Sequence, residues 1–358
     1  MLAWFNFRGL ELSTIGGALI GLIASNLKAR WTMTEDDLYR HIYDSAIFKR
    51  WHWFRYHFEL RLRGWVHPFA DSIVRACLDC ERRIPGFARA MMDALAAIGG
   101  GEKDRRQYEQ LMQRLAELLV IRQAVTYPWD FRATFRWEPT APGSKKNPEL
   151  IIEGGPCPLG LEVKAPSLLD HIQQRVSNPT QLPSRVFNKQ QIDQLPDIGA
   201  GWTKPRDNPL KDFLISSEAK FAPFKASDVA FRGLLIVVWD DFVYEPISSL
   251  IHPKSGLFTE NSFAKDASGQ PLRFPSVDAV ILVRHFHQFV NAAGDRPLID
   301  QCRGALDYGR DGDFPPKAII GNPCGSLIPM EFVEAFQAYP PSPEMGAEYV
   351  PSDLIWWI

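Results

Sequence analysis

Residues 149–164 read ELIIEGGPCPLGLEVK. An acid opens an aliphatic run, Glu149-Leu-Ile-Ile-Glu153. The run breaks at Gly154-Gly-Pro-Cys-Pro158 and resumes as Leu159-Gly-Leu-Glu-Val-Lys164. Short apolar runs bounded by Gly and Pro predict two strands joined by a turn. Side chains alternate across a strand, so Glu162 and Lys164 share one face while Leu161 and Val163 take the other. A helix capped at Ser167 is expected to cover the charged face, and bare charges are costly to bury there. The plain alternative is a cross-strand charge pattern on an exposed sheet face.

Outward from this pair the chain alternates between helical and strand texture. Upstream, residues 104–124 place Leu111, Leu115, Leu118 and Leu119 at helical spacing. Phe131–Trp137 alternates like a half-buried strand, and residues 139–148 carry turn chemistry. Downstream, helical segments are expected at 167–177, 183–195 and Phe213–Phe221. Gly233–Trp239 and Val277–Val283 are continuous apolar runs, as in strands covered on both faces. The order helix, three strands, helix, strand predicts an α/β fold.

Three glycines, Gly99-Gly-Gly101, mark a boundary. Residues 1–100 are expected to be a helical region, 101–295 the core, and 296–358, rich in Gly and Pro, an irregular extension. Residues 47–69 interleave rings and bases, among them Trp51, Trp53, Arg55, Arg61 and Trp65. Such a stretch can hold single strands of nucleic acid, but amphipathic helices with snorkelling arginines are the default. Leu12–Leu27 is shorter than the ~20 apolar residues of a spanning helix. It is read as a buried Gly-rich helix, so membrane association is not expected and a cytoplasmic protein is. Leu354–Ile358 is apolar enough to dock on the core or on a partner.

The bulk numbers narrow the classes. Of the 358 residues, 46% are hydrophobic, enough for a packed interior. The net charge of −2 leaves a polyanionic partner open, since a basic groove can sit on a neutral molecule. The five cysteines are odd in number and sparse, which fits a reducing compartment. Cys77-x-x-Cys80 has zinc spacing but no second pair, so two thiols on one helix face are expected. There is no phosphate-binding Gly-x-x-x-x-Gly-Lys, no dinucleotide Gly-x-Gly-x-x-Gly after a strand and no Gly-x-Ser-x-Gly elbow.

What remains is the acid–lysine strand. A carboxylate at Glu162 can hold a hard cation through oxygen. An adjacent amine can orient or deprotonate water, or offset charge growing on a phosphate. Glu149, opening the preceding strand after Pro148, offers the second acid, with Glu153 its rival. Glu109 or Glu117 on the upstream helix offers a third. Glu218-Ala219-Lys220 repeats the Glu-x-Lys spacing, where it reads as a solvated helical pair. His285-x-His287 lacks a third ligand, so packing or surface placement is expected. Asp240-Asp241 closes a strand at a place where functional residues often sit, and is equally ordinary as a turn.

Pro148-Glu149, an aliphatic strand, a Gly/Pro turn and Glu162-Val163-Lys164 resemble the Pro-Asp…(Asp/Glu)-x-Lys signature of the restriction-endonuclease-like nuclease superfamily. The helix carrying Tyr108-Glu109 is similar to the one that opens that fold. The resemblance covers roughly residues 104–240, and Glu149 departs from it by standing where the family has Asp. It implies a core of a helix, antiparallel strands, a helix and further strands in a mixed sheet flanked by helices. It also implies Mg²⁺ or Mn²⁺ held by Glu149, Glu162 and Glu109. Lys164 would assist hydrolysis, with Arg185, Lys189 and Gln191 as nucleic-acid contacts. The implied activity is a metal-dependent endonuclease, with DNA favoured over RNA, such as an effector of bacterial defence or restriction. Partner subunits would supply recognition or a motor. The alternative is an inactive nuclease-like module that binds nucleic acid or scaffolds a complex.

Overall fold

The computed structural model describes residues 33–99, 101, 104–141, 143–167, 173, 177, 208–240, 243–310 and 317–341. They form an α/β structure around one seven-stranded mixed sheet. The strands, which neighbour one another in chain order, are β1 (Thr134–Trp137), β2 (Leu150–Glu153), β3 (Leu159–Lys164), β4 (Arg232–Trp239), β5 (Ala279–Arg284), β6 (Lys317–Gly321) and β7 (Ala338–Tyr339). β1, β2 and β3 form an antiparallel meander, and β3, β4 and β5 run parallel. β6 reverses against β5, and β7 lies parallel to β6. β4 is buried along Gly233–Trp239, as its unbroken apolar run requires of a central strand.

Ten helices accompany the sheet among the described residues: α1 (Glu35–Asp44), α2 (Ala46–Lys49), α3 (Arg55–Leu62), α4 (Pro68–Glu81), α5 (Phe87–Ala97), α6 (Arg105–Thr126), α7 (Asn208–Ser227), α8 (Tyr244–Ile251), α9 (Phe286–Ala293) and α10 (Met330–Ala335). No helix among the described residues is long and apolar enough to cross a membrane, and Leu12–Leu27 lies outside them. The helical reading of the first hundred residues holds from Glu35 onward. α1 begins in a full capping box: Thr34 accepts from the Asp37 backbone and Asp37 accepts from that of Thr34. In the aromatic and basic stretch the rings of Phe54, Phe58 and Phe69 are buried. Arg61 pairs with Glu35 and Asp36 and lies over the Tyr39 ring, so its charge is already spent inside the helical layer. Cys77 and Cys80 are buried free thiols on α4, and burial pushes both well above the ordinary thiol range.

Two features dock α6 and α7 on the sheet. On α6, Gln113 donates to the Val163 carbonyl and accepts from the Ala165 backbone, clamping the helix to the end of β3. α7 comes close because Gly160 and Gly233 are register partners on β3 and β4. A side chain at Gly160 would meet the Phe231 ring at 2.3 Å and the Phe221 ring at 3.2 Å. One at Gly233 would meet the Ser276 carbonyl at 2.2 Å and the Phe221 ring at 2.5 Å. The bare strip is therefore filled by phenylalanines, Phe221 coming from α7. A buried carboxylate, Asp278, fastens the same corner. It accepts from Gly233 N, Ser326 N and the Lys225 ammonium of α7.

Three expectations need correction. Phe213–Phe221 is the middle of a longer helix, Asn208–Ser227, which contains Pro223. Residues 296–358 are not all irregular, because β6, α10 and β7 lie there and extend the sheet. β6 is short and its neighbour β7 has two residues, too few to carry a period of two. The strand expected from Val277 starts at Ala279, because Val277 closes a turn onto Phe274 and Asp278 serves the corner just described. The helical segments expected at 167–177 and 183–195 lie outside the described residues except at Ser167, which is exposed, and at Gln173 and Ser177.

Candidate active site

Register places the two acids. Leu150 pairs with Leu161, and Glu149 N donates to the Leu161 carbonyl at 2.9 Å. Glu149, the bend residue just before β2, thus lies at the end of the strand pair that carries Glu162, and the charge of Glu162 acts on it. Glu162 is fully buried and Glu149 is 8% exposed. Two carboxylates set close together repel, more so away from water. Glu153 does not compete for this position: it is half-exposed at the far end of β2 and pairs with Arg136 at 2.7 Å.

Two ammonium groups answer the acids. Lys164 Nζ lies 2.8 Å from Glu162 Oε1, as two residues on one strand face predict. Lys220 Nζ comes from α7, 2.6 Å from the same oxygen and 3.6 Å from Glu149 Oε1. Both amines therefore converge on one oxygen, and among the described residues buried Glu162 Oε2 has no hydrogen-bond partner. Burial works against the Lys220 charge. The Glu162 carboxylate outweighs it, with smaller help from Glu149 and Glu117, so its pKa is raised. The reading of Glu218-x-Lys220 as a solvated pair is thus overturned. Glu218 accepts from the Ser276 backbone, and Lys220 reaches into the acid pair. Helical spacing alone gave no sign of this, because the partner strands lie about sixty residues away.

The third acid is Glu117. Buried on α6, it pairs with Arg114 at 2.6 Å and accepts from Gln113 at 2.9 Å. Burial raises its pKa, against the pull of Arg114, Gln113 and Lys164. Its charge and that of Glu162 act on Glu149. Glu109, the acid chosen from the resemblance, is half-buried two turns earlier, about 12 Å along the helix axis, and is not among the charges that shift Glu149. The reason is the docking point: Gln113 sits at the β3 end, so the next turn, not the preceding one, reaches the acids.

Glu149 is pushed up to about 8, first by burial and then by the charges of Glu117 and Glu162, against the pull of Lys220 and Lys164. A carboxyl raised in the folded state binds its proton more tightly there than in the unfolded chain. Its stabilising effect is full below about pH 4.5 and is lost as pH rises through about 8. The metal-free protein is therefore expected to lose thermal stability between pH 5 and 8, and Glu149→Gln to flatten that slope. A melting series in both proteins checks this; identical slopes would refute it.

The other candidates take structural roles. His285 stands at the N-cap position of α9 without a side-chain cap bond; its Nε2 lies 2.8 Å from the Ala305 carbonyl, and burial pushes it down to about 3. His287, in the first turn of α9, contacts Asp300 at 3.0 Å. The two histidines thus sit on a helix start and not on one strand face. Asp240 is buried at the end of β4, while Asp241, Arg185, Lys189, Gln191 and Leu354–Ile358 lie outside the described residues.

No family model, curated protein or solved structure matches this chain. Its site must be judged on its own chemistry. Among the described residues, no three His, Cys, Asp or Glu side chains are gathered as a ready metal cage. The donor set nevertheless suits a hard divalent cation. Glu162 keeps one buried oxygen without a partner among the described residues, and a cation between Glu149 and Glu162 would offset the repulsion that adds to burial in raising Glu149.

Proposed function

We propose that the chain is a metal-dependent nuclease with a restriction-endonuclease-like core, hydrolysing phosphodiester bonds at Glu149, Glu162 and Lys164. The observation that carries this reading is the convergence of two buried carboxylates, Glu162 on β3 and Glu149 just before β2, with Lys164 on the Glu162 oxygen. Glu149 and Glu162 would hold Mg²⁺ or Mn²⁺, with Glu117 close behind them. Such an ion, when bound, supplies a more acidic water and compensates phosphate charge. Lys164 orients the attacking water or offsets charge gathering on the phosphate. Burial of the acids keeps bulk water from screening these interactions. Glu149 in place of Asp adds one methylene, and the Lys220 ammonium, 3.6 Å from Glu149 Oε1 and 2.6 Å from Glu162 Oε1, occupies the space that a shared cation would take.

By the same reading the substrate is nucleic acid, DNA before RNA, and a role in bacterial defence or restriction follows by analogy of fold. Partner subunits would bring recognition or a motor, in the cytoplasm. One observation favours a second reading, an inactive module that binds nucleic acid or scaffolds a complex: the carboxylates are already neutralised by Lys164 and Lys220. Incubating the full chain with DNA and with RNA in Mg²⁺ or Mn²⁺, beside Lys164→Ala, separates the two. Metal-dependent cleavage that Lys164→Ala loses supports the enzyme. Nucleic-acid binding with no cleavage in any metal supports the module. Cleavage unchanged in Lys164→Ala would remove that residue from the site.

A further inference from the structure

We infer that the Lys220 ammonium is the resident counter-ion of the Glu149–Glu162 pair and has to leave it before a divalent cation can bind. The inference rests on the nuclease reading and adds a step to it, an exchange of one cation for another. Lys220 Nζ stands 2.6 Å from Glu162 Oε1, about the reach of a hard cation to its oxygens, which is ~2.0–2.6 Å. It is also the amine that faces both acids, being 3.6 Å from Glu149 Oε1. Among the described residues Lys164 is paired with Glu162 and with no second acid. A metal ion shared by Glu149 and Glu162 would therefore meet the Lys220 ammonium as a like charge at contact distance.

The charge count leads to the same conclusion. Once a bound cation ionises Glu149, the acids Glu117, Glu149 and Glu162 face Arg114, Lys164 and Lys220, which is three acids against three bases before the ion itself is counted. A divalent ion added to that balance overshoots it, and withdrawal of Lys220 corrects half of the excess. The withdrawal does not need the helix to move. Lys225 holds α7 to Asp278 at 2.5 Å, and Phe221 fills the glycine strip. The four-carbon lysine stem can rotate on that fixed base, and its side chain is 17% exposed, so a path to water is open.

The test is Mn²⁺ binding to the full-length protein by calorimetry, without nucleic acid, in wild type, Lys220→Met, Lys164→Met and Glu162→Gln. Lys220→Met and Lys164→Met remove the same charge, but only the first vacates the place between the acids. The expected result is Mn²⁺ affinity raised about tenfold or more in Lys220→Met, equivalent to about 1.4 kcal/mol. Lys164→Met should gain clearly less, and Glu162→Gln should not bind. Mn²⁺ should then also raise the melting temperature of Lys220→Met more than that of wild type. If Lys220→Met does not fold, Lys220→Gln serves in its place. Equal gains in the two lysine variants, or no gain in Lys220→Met while wild type binds through Glu162, would overturn the exchange and leave the nuclease reading standing. Absence of Mn²⁺ binding in wild type and both lysine variants would overturn both.

Discussion

Glu162→Gln is expected to reduce metal-dependent cleavage by about 10²–10³-fold, because a metal ion at such a centre is worth several kcal/mol and each ~1.36 kcal/mol is tenfold in rate. The substitution keeps the shape of the side chain and removes its charge. Glu162 is the residue on which the site converges: both amines lie on its Oε1, and its Oε2 is the buried oxygen without a partner. The fold should tolerate the change better than breaking a sealed ion pair would suggest. Lys164 and Lys220 retain 20% and 17% side-chain exposure and can turn towards water, and Lys220 keeps Glu149 within reach. Cleavage rates should be read beside circular dichroism and a melting curve. A folded Glu162→Gln protein that cuts at the wild-type rate would end the assignment of this residue.

Gly233→Val is expected to cost about 3 kcal/mol or more, at the upper end of the overpacking range. Already the first added carbon would stand 2.2 Å from the Ser276 carbonyl and 2.5 Å from the Phe221 ring. The carbonyl is backbone at the head of β5, and the ring is buried, so neither can yield cheaply. Gly233 also donates its N–H to Asp278, which holds Lys225, so a shift there loosens α7 from two sides. Since Lys220 precedes Phe221, the same shift withdraws the ammonium from the acids. Urea unfolding measures the first effect through its midpoint. An unchanged midpoint would show that the strip is roomier than these distances allow. Gly160→Ala presses on the Phe231 ring edge instead of backbone and is expected to cost less.

Much of this was legible in the sequence, and for local reasons. Leu159–Lys164 alternates a charged face with an apolar one, and the period of two alone puts Glu162 and Lys164 together. The turn at 154–158 is short and rich in Gly and Pro, so β2 and β3 had to pair, and pairing brought Glu149 to the end of β3 that carries Glu162. The apolar run of β4 announced a strand covered on both faces, and leucines at helical spacing announced α6. Each of these signals lies within a few residues of what it determines.

The remainder was settled by contacts between distant segments. Glu117, not Glu109, approaches the acids because Gln113 bonds to the end of β3, and no spacing within α6 encodes where along its length a strand will touch. Lys220 enters the site because two glycines on neighbouring strands let α7 lie against the sheet. Within its own helix Lys220 reads as an ordinary surface lysine. β6 and β7 join the sheet from a segment too short and too broken to show a period. Sequence patterns report on residues a few positions apart, whereas the depth of a helix on a sheet is decided by side-chain volume where segments far apart in the chain meet.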